Sequence, residues 1–152
     1  MIYKIENDFL AVDINDLGAE LYSIKSKKTG TEYLWQGDTT FWKSRATNLF
    51  PVCGRLFGGV YTYKGKEYQM PIHGFAKLFE FTASCISKEE ICFTLSSNSQ
   101  TKEYYPFDFI LKISYALKDN CLISQFIVEN LGKEMYFSCG GHPGFNVHFN
   151  KN

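Results

Sequence analysis

The chain has 152 residues, and its sixteen Lys plus Arg are balanced by sixteen Asp plus Glu. This length can bury roughly two-thirds of its unfolded surface in one domain, and 45% hydrophobic residues against 21% charged ones argue against disorder. Zero net charge argues against a nucleic-acid binder or an acidic tail, and no apolar run approaches the roughly 20 residues of a membrane span.

Taken in chain order, the patterning is that of strands. Leu10, Val12 and Ile14 alternate with Ala11, Asp13 and Asn15, which marks a strand with one covered face. Lys27-Lys28-Thr29-Gly30 reads as a turn and predicts a hairpin of 21–26 with 31–36. Residues 37–59 hold Asp38-Thr39-Thr40, Pro51, Gly37, Gly54, Gly58 and Gly59, and read as a long irregular crossing. Tyr63-Lys64-Gly65-Lys66 predicts a hairpin of 60–63 with 67–70, and Ser87-Lys88-Glu89-Glu90 one of 78–86 with 91–97. The clearest element runs from Phe107 to Leu117, where every odd position is apolar; Lys118-Asp119-Asn120 turns it back on 121–129. A last strand is predicted over 134–139, after the Leu131-Gly132-Lys133 turn. No 11-residue stretch carries a helical period, and 17% aromatics suit half-buried strands. An all-β antiparallel sandwich forming a single domain over residues 1–152 is the expected fold.

Few residues can carry chemistry. Of the three histidines, His73 and His142 are flanked by glycine, which lets the backbone bend and a ligand approach closely. His148 alternates with Val147 and Phe149 in strand-like sequence and is assigned no function. There are only two arginines, Arg45 and Arg55, in a chain that otherwise uses lysine for charge; such arginines are candidates for their planar donor fork. Cys53, Cys85, Cys92, Cys121 and Cys139 show no Cys-x-x-Cys pairing and are odd in number, so they read as reduced thiols in a cytoplasmic protein. A Cys139–His142 nucleophile is one reading, and a core role for Cys139 in its apolar run is the favoured one. No metal-ligand spacing is seen, and Gly54-Arg55-Leu56-Phe57-Gly58-Gly59 is not followed by the helix a phosphate loop needs. Two loop histidines, an arginine and many aromatics suit a neutral polyhydroxyl ligand, whose C–H face aromatic rings can cover.

Five blocks then make the sequence familiar. They are Leu49-Phe50-Pro51-Val52-Cys53-Gly54-Arg55-Leu56; Tyr61-x-Tyr63-x-Gly65-Lys66-x-Tyr68; Pro71-x-His73-Gly74-Phe75-Ala76; Tyr105-Pro106-Phe107-x-Phe109; and Phe137-Ser138-x-Gly140-Gly141-His142-Pro143-x-Phe145-Asn146. In this order they resemble the aldose 1-epimerase (galactose mutarotase) family, in its LacX-like branch. The resemblance implies a galactose-mutarotase-like β-sandwich, the supersandwich, and interconversion of the α and β anomers of an aldose sugar without a cofactor. In that reaction a carboxylate base takes the C1 hydroxyl proton while a histidine protonates the ring oxygen; the ring opens, the C1–C2 bond rotates and the ring closes. By block, His142 matches the acid, His73 the second, sugar-bonding histidine, and Arg55 the arginine that bonds ring hydroxyls. Arg45, in Phe41-Trp42-Lys43-Ser44-Arg45, is a further substrate-binding candidate.

The resemblance is to the N-terminal half only. The family's catalytic Glu and a sugar-binding Asp come from the other half, and Glu80, Glu103, Asp108, Glu129 and Glu134 match no catalytic motif, so no base is assigned. The fold expected is about half a sandwich, truncated relative to the family. Its open strand edges predict a homo-oligomer, or pairing with a separately encoded C-terminal half. An epimerase, a carbohydrate-binding module without turnover and an inactive remnant are the three functions left open.

Overall fold

Alternation decides the two main sheets of the computed structural model, which describes residues 1–84 and 86–147; Cys85 and His148 lie outside the described residues. Strand β1 (Ile2–Glu6) pairs antiparallel with β2 (Leu10–Asn15), which pairs with β3 (Glu20–Ser26). Leu10, Val12 and Ile14 point into the core, as their spacing requires. β4 (Ala46–Leu49), the hairpin β5 (Val60–Tyr63) and β6 (Lys66–Gln69), β7 (Thr82–Ser84) and β8 (Glu90–Ser96) follow. A four-residue helix α1 (Thr101–Tyr104) precedes β9 (Phe109–Lys118) and β10 (Cys121–Asn130), and β11 (Gly140–Pro143) comes last among the described strands.

The second sheet has the order β10-β9-β8-β7, antiparallel throughout. Its inner face carries Ile91, Phe93 and Leu95 from β8 and Phe109, Leu111, Ile113, Tyr115 and Leu117 from β9, all buried in one core with Ile5, Val12 and Ile14. The ring of Tyr3 meets that of Phe93 edge to face, 5.5 Å between centroids, across the two sheets. Tyr115 ties the layers by hydrogen bonds as well. Its Oη donates to the Ala19 carbonyl at 2.7 Å and accepts from Asn48 Nδ2 at 3.0 Å. This is an all-β antiparallel sandwich, with the short α1 as its one α-helix among the described residues.

Three expectations are corrected. Residues 134–139 form no strand; the strand lies just after, at Gly140–Pro143, where the backbone finds a partner in β4. Their polar backbone is used singly, Tyr136 O by the Tyr105 hydroxyl and Ser138 N by Pro51 O. The 37–59 crossing contains β4, whose four residues are all buried, so covered faces on both sides remove the alternation that would have marked it. The 21–26 and 31–36 segments make only one backbone bridge, Lys25–Glu32, with Ser26 N donating to Thr31 O and Tyr33 N to Ile24 O; the Glu32 carboxylate takes Ile24 N and Leu34 N in place of further ladder carbonyls, and the strand partner of β3 is β2.

On one side the sandwich stays open. β10 has β9 as its only sheet neighbour and β11 has only β4 among the described strands. Between them runs an apolar depression of about 750 Å³, with Leu21 and Ile24 on one wall, Leu122 and Phe126 on the other, and Pro143 and Phe145 at one end. Leu122, Phe126 and Val128 share the core face of their β9 partners and pack against the core, yet the described residues cover them only partly.

Candidate functional site

His142 is carried by β11, whose register on β4 sets Gly141 opposite Asn48 and His142 opposite Thr47. Its exposed ring lies 5.3 Å from that of Trp42 and 5.1 Å from that of His73. Sequence-distant histidines are thus brought side by side by one strand pairing and one loop.

That loop is tightly constrained. His73 adopts a left-handed backbone (φ 68°), a conformation costing a non-glycine residue about 1–3 kcal/mol, which the surroundings must hold. Its N–H donates to Gly54 O at 2.9 Å, and its Nδ1 lies 3.1 Å from Cys53 O. Gly74 (φ 77°) follows, so close to Phe50 that a Cβ would fall 2.0 Å from the Phe50 carbonyl oxygen. The same oxygen accepts from Phe75 N and Ala76 N, so the His73 turn is clamped against the 50–54 segment.

His73 and His142 share a pocket of about 240 Å³ with Trp42, Ser44, Thr47, Ile72 and Lys77. Lys77 Nζ donates to Ile72 O at 2.6 Å; partial burial and then the neighbouring Lys43 hold its ammonium below the ordinary lysine range, against a smaller opposing pull from Glu20. Glu20 itself does not line the pocket, and its Oε1 accepts from Arg45 N and Ala46 N. No carboxylate is among the described residues lining the pocket.

The two arginines stand apart from this lining. Arg55 is exposed on the turn that follows Gly54, and its guanidinium makes no hydrogen bond or ion pair with another described residue. Arg45 is committed elsewhere: Nη1 donates to Tyr22 O at 2.7 Å and Gln36 Oε1 at 2.9 Å, and the guanidinium lies 4.5 Å over the Tyr22 ring. Cys139 is half-buried, and that burial, with Cys53 nearby, pushes its thiol pKa up, which keeps it a poor nucleophile at neutral pH. Cys53, Cys92, Cys121 and Cys139 are free, and no group of three His, Cys, Asp or Glu among the described residues could hold a metal ion. Sequence reasoning missed Trp42, Thr47 and Lys77; the first lay in the block quoted for Arg45, and Lys77 four residues after His73.

Comparison with known proteins agrees with this fold and this set of blocks. The aldose 1-epimerase family matches residues 1–152. A galactose mutarotase related enzyme from Lactobacillus acidophilus superposes with a TM-score of 0.96 at 43% identity, over 99% of this chain and 51% of that one. A galactose mutarotase-like protein from Lactobacillus casei gives 0.94 at 36% identity, over 99% and 52%. The plasmid-borne protein LacX of Lactococcus lactis is 34% identical over 96% of this chain and 51% of its own. The chain therefore spans about half the length of the curated relatives it matches. No helix among the described residues is long and apolar enough to cross a membrane.

Proposed function

The chain belongs to the aldose 1-epimerase family, and on that premise we propose that the His73–His142 pocket binds an aldose and supplies the acid half of anomer interconversion. The observation that carries this reading is the convergence of the two rings, 5.1 Å apart, in a pocket with an aromatic wall. The strained, doubly anchored backbone of His73 supports it, since strain of this kind clusters where a side chain must be aimed.

In the proposed reaction His142, exposed on β11, donates its proton to the ring oxygen as the C1–O bond to that oxygen breaks. His73 hydrogen-bonds the sugar through Nε2, and Trp42 covers a C–H face. Arg55, exposed on its turn, reaches ring hydroxyls. Arg45 serves the site through the β3–β4 scaffold that its guanidinium holds.

The base that takes the C1 hydroxyl proton has no candidate among the described residues of the pocket lining, and we assign it to a second body seated on the open side of the sandwich. A second copy, pairing through the free edges of β10 and β11, is one source; a polypeptide corresponding to the other half of the relatives is another. The missing carboxylate also favours a second reading, a module that binds a hexose without turnover. Polarimetry separates the two. Fresh α-galactose or α-glucose relaxing faster with the protein than without it supports the epimerase, and binding with background relaxation supports the module. Neither binding nor exchange would overturn both.

A further inference from the structure

The paired strands β4 and β11 form a ribbon whose two faces are used differently. Ala46, Asn48, Gly141 and Pro143 line the large apolar depression, whereas Thr47 and His142 line the histidine pocket. Strand alternation requires this division, and the register sets Thr47 directly opposite His142, so the two side chains are close neighbours on one face. Thr47 is only 7% exposed, yet its hydroxyl makes no hydrogen bond with another described residue. The next polar side chain on the strand is fully provided for: Asn48 Nδ2 donates to Gly18 O, Ala19 O and Tyr115 Oη. No sealed side-chain nitrogen or oxygen among the described residues lacks a partner, so the Thr47 hydroxyl is not sealed and keeps its contact with the pocket. A nearly buried hydroxyl without a partner is costly, and one that opens only on a binding pocket marks a place where a ligand supplies the bond. Ser44, the other hydroxyl of the lining, is less deeply covered and can be served by water.

We propose that Thr47 is a further substrate-binding residue, whose hydroxyl bonds the 6-hydroxyl of an aldohexose and so sets the preference of the site for sugars that carry one. The inference rests on the aldose reading of the histidine pocket and on a base that arrives over the free edge of β11. Topology selects the hydroxyl. β4 lies on one side of β11 and the free edge on the other. In a pyranose the ring oxygen is bonded to C1 on one side and to C5 on the other. With that oxygen at His142, C1 turns toward the free edge to meet the base, which brings C5 and its CH2OH arm over β4. Thr47 is the residue of β4 that stands beside His142 on this face. A hydroxyl both donates and accepts, so either the sugar or Thr47 can supply the hydrogen of the bond. The contact orients the ring on His142 and takes no part in bond breaking.

The test titrates the wild-type chain and Thr47→Val with galactose and with 6-deoxygalactose, which differ only in the hydroxyl at C6, and follows the Hε1 resonances of His73 and His142. The wild type should bind galactose about tenfold more tightly than 6-deoxygalactose. Thr47→Val keeps the branched shape without the hydroxyl. It should bind galactose about tenfold more weakly and 6-deoxygalactose as the wild type does, so that the preference disappears. Where Thr47→Val does not fold, Thr47→Ala reads the same difference with the same outcomes. Equal binding of the two sugars by the wild type overturns the assignment while the aldose reading stands. So does a variant that keeps the preference or weakens both sugars alike. Neither sugar moving either histidine resonance would overturn the aldose reading and this assignment with it.

Discussion

The Nδ1 atom of His73 lies 3.1 Å from the carbonyl oxygen of Cys53, while the backbone N–H of the same residue donates to Gly54 O. A carbonyl oxygen only accepts, so Nδ1 carries a proton, and the neutral ring is fixed with Nε2 free as an acceptor toward the pocket. Long-range proton–nitrogen correlation spectra of the neutral ring should show the Nδ1–H tautomer. An Nε2–H tautomer would contradict the orientation assigned to this histidine.

Gly74 should tolerate no side chain. A Cβ there would overlap the Phe50 carbonyl oxygen, and the φ of 77° is unfavourable for any L residue. Gly74→Ala is expected to cost about 3 kcal/mol or more in urea unfolding, or to prevent folding. A loss below about 1 kcal/mol would show that the 50–54 segment yields, and that His73 is not rigidly aimed.

Tyr115 should set the alkaline limit of the fold. Burial pushes its phenol pKa above the ordinary tyrosine range, with Asn48 opposing and Glu20 adding to the shift. A raised pKa means the folded state favours the neutral phenol, so this stabilisation is complete below about pH 10 and is lost as pH rises through the folded value. Tyr115→Phe removes the bonds to Ala19 O and Asn48 Nδ2, and should cost about 1–3 kcal/mol at neutral pH. It should also flatten the stability decline in alkali, measured by denaturant midpoints across the pH range. An unchanged alkaline slope would move that limit to Tyr61 or Tyr105, which burial raises as well.

The open side of the sandwich should govern association. Phe126, on the core face of β10 and only half covered, lines the large depression together with Leu21 and Ile24. If a second copy fills it, light scattering should give twice the chain mass at micromolar concentration, and Phe126→Glu should return the mass of one chain. A wild-type mass of one chain throughout would remove the second copy and leave the complementary half as the occupant.

What could be read from the sequence follows from where one face of a strand is wet. β2, β8 and β9 each alternate buried with half-covered positions, and the Tyr63-Lys64-Gly65-Lys66 turn joined β5 to β6 as expected. β4 was hidden because Ala46, Thr47, Asn48 and Leu49 are all buried, and β11 because Gly140 and Gly141 carry no side chain to show a period. Those two strands make the register that sets His142 opposite Thr47. So the candidate histidines were legible as glycine-flanked residues, while their approach was not. Trp42 escaped notice for the same reason, since only the folded 35–45 loop turns it toward His142. Arg45 was singled out by rarity, which cannot tell a ligand-binding fork from one that holds Tyr22 and Gln36.

Whether His73 and His142 together receive an aldose is read from their own ring protons. In a titration with galactose or glucose, the Hε1 resonances of both histidines should shift along one binding curve, and His142→Ala should weaken the binding seen at His73 by about tenfold. Unshifted resonances at both rings up to high sugar concentration, or a His142→Ala variant that binds as the wild type does, would contradict the account.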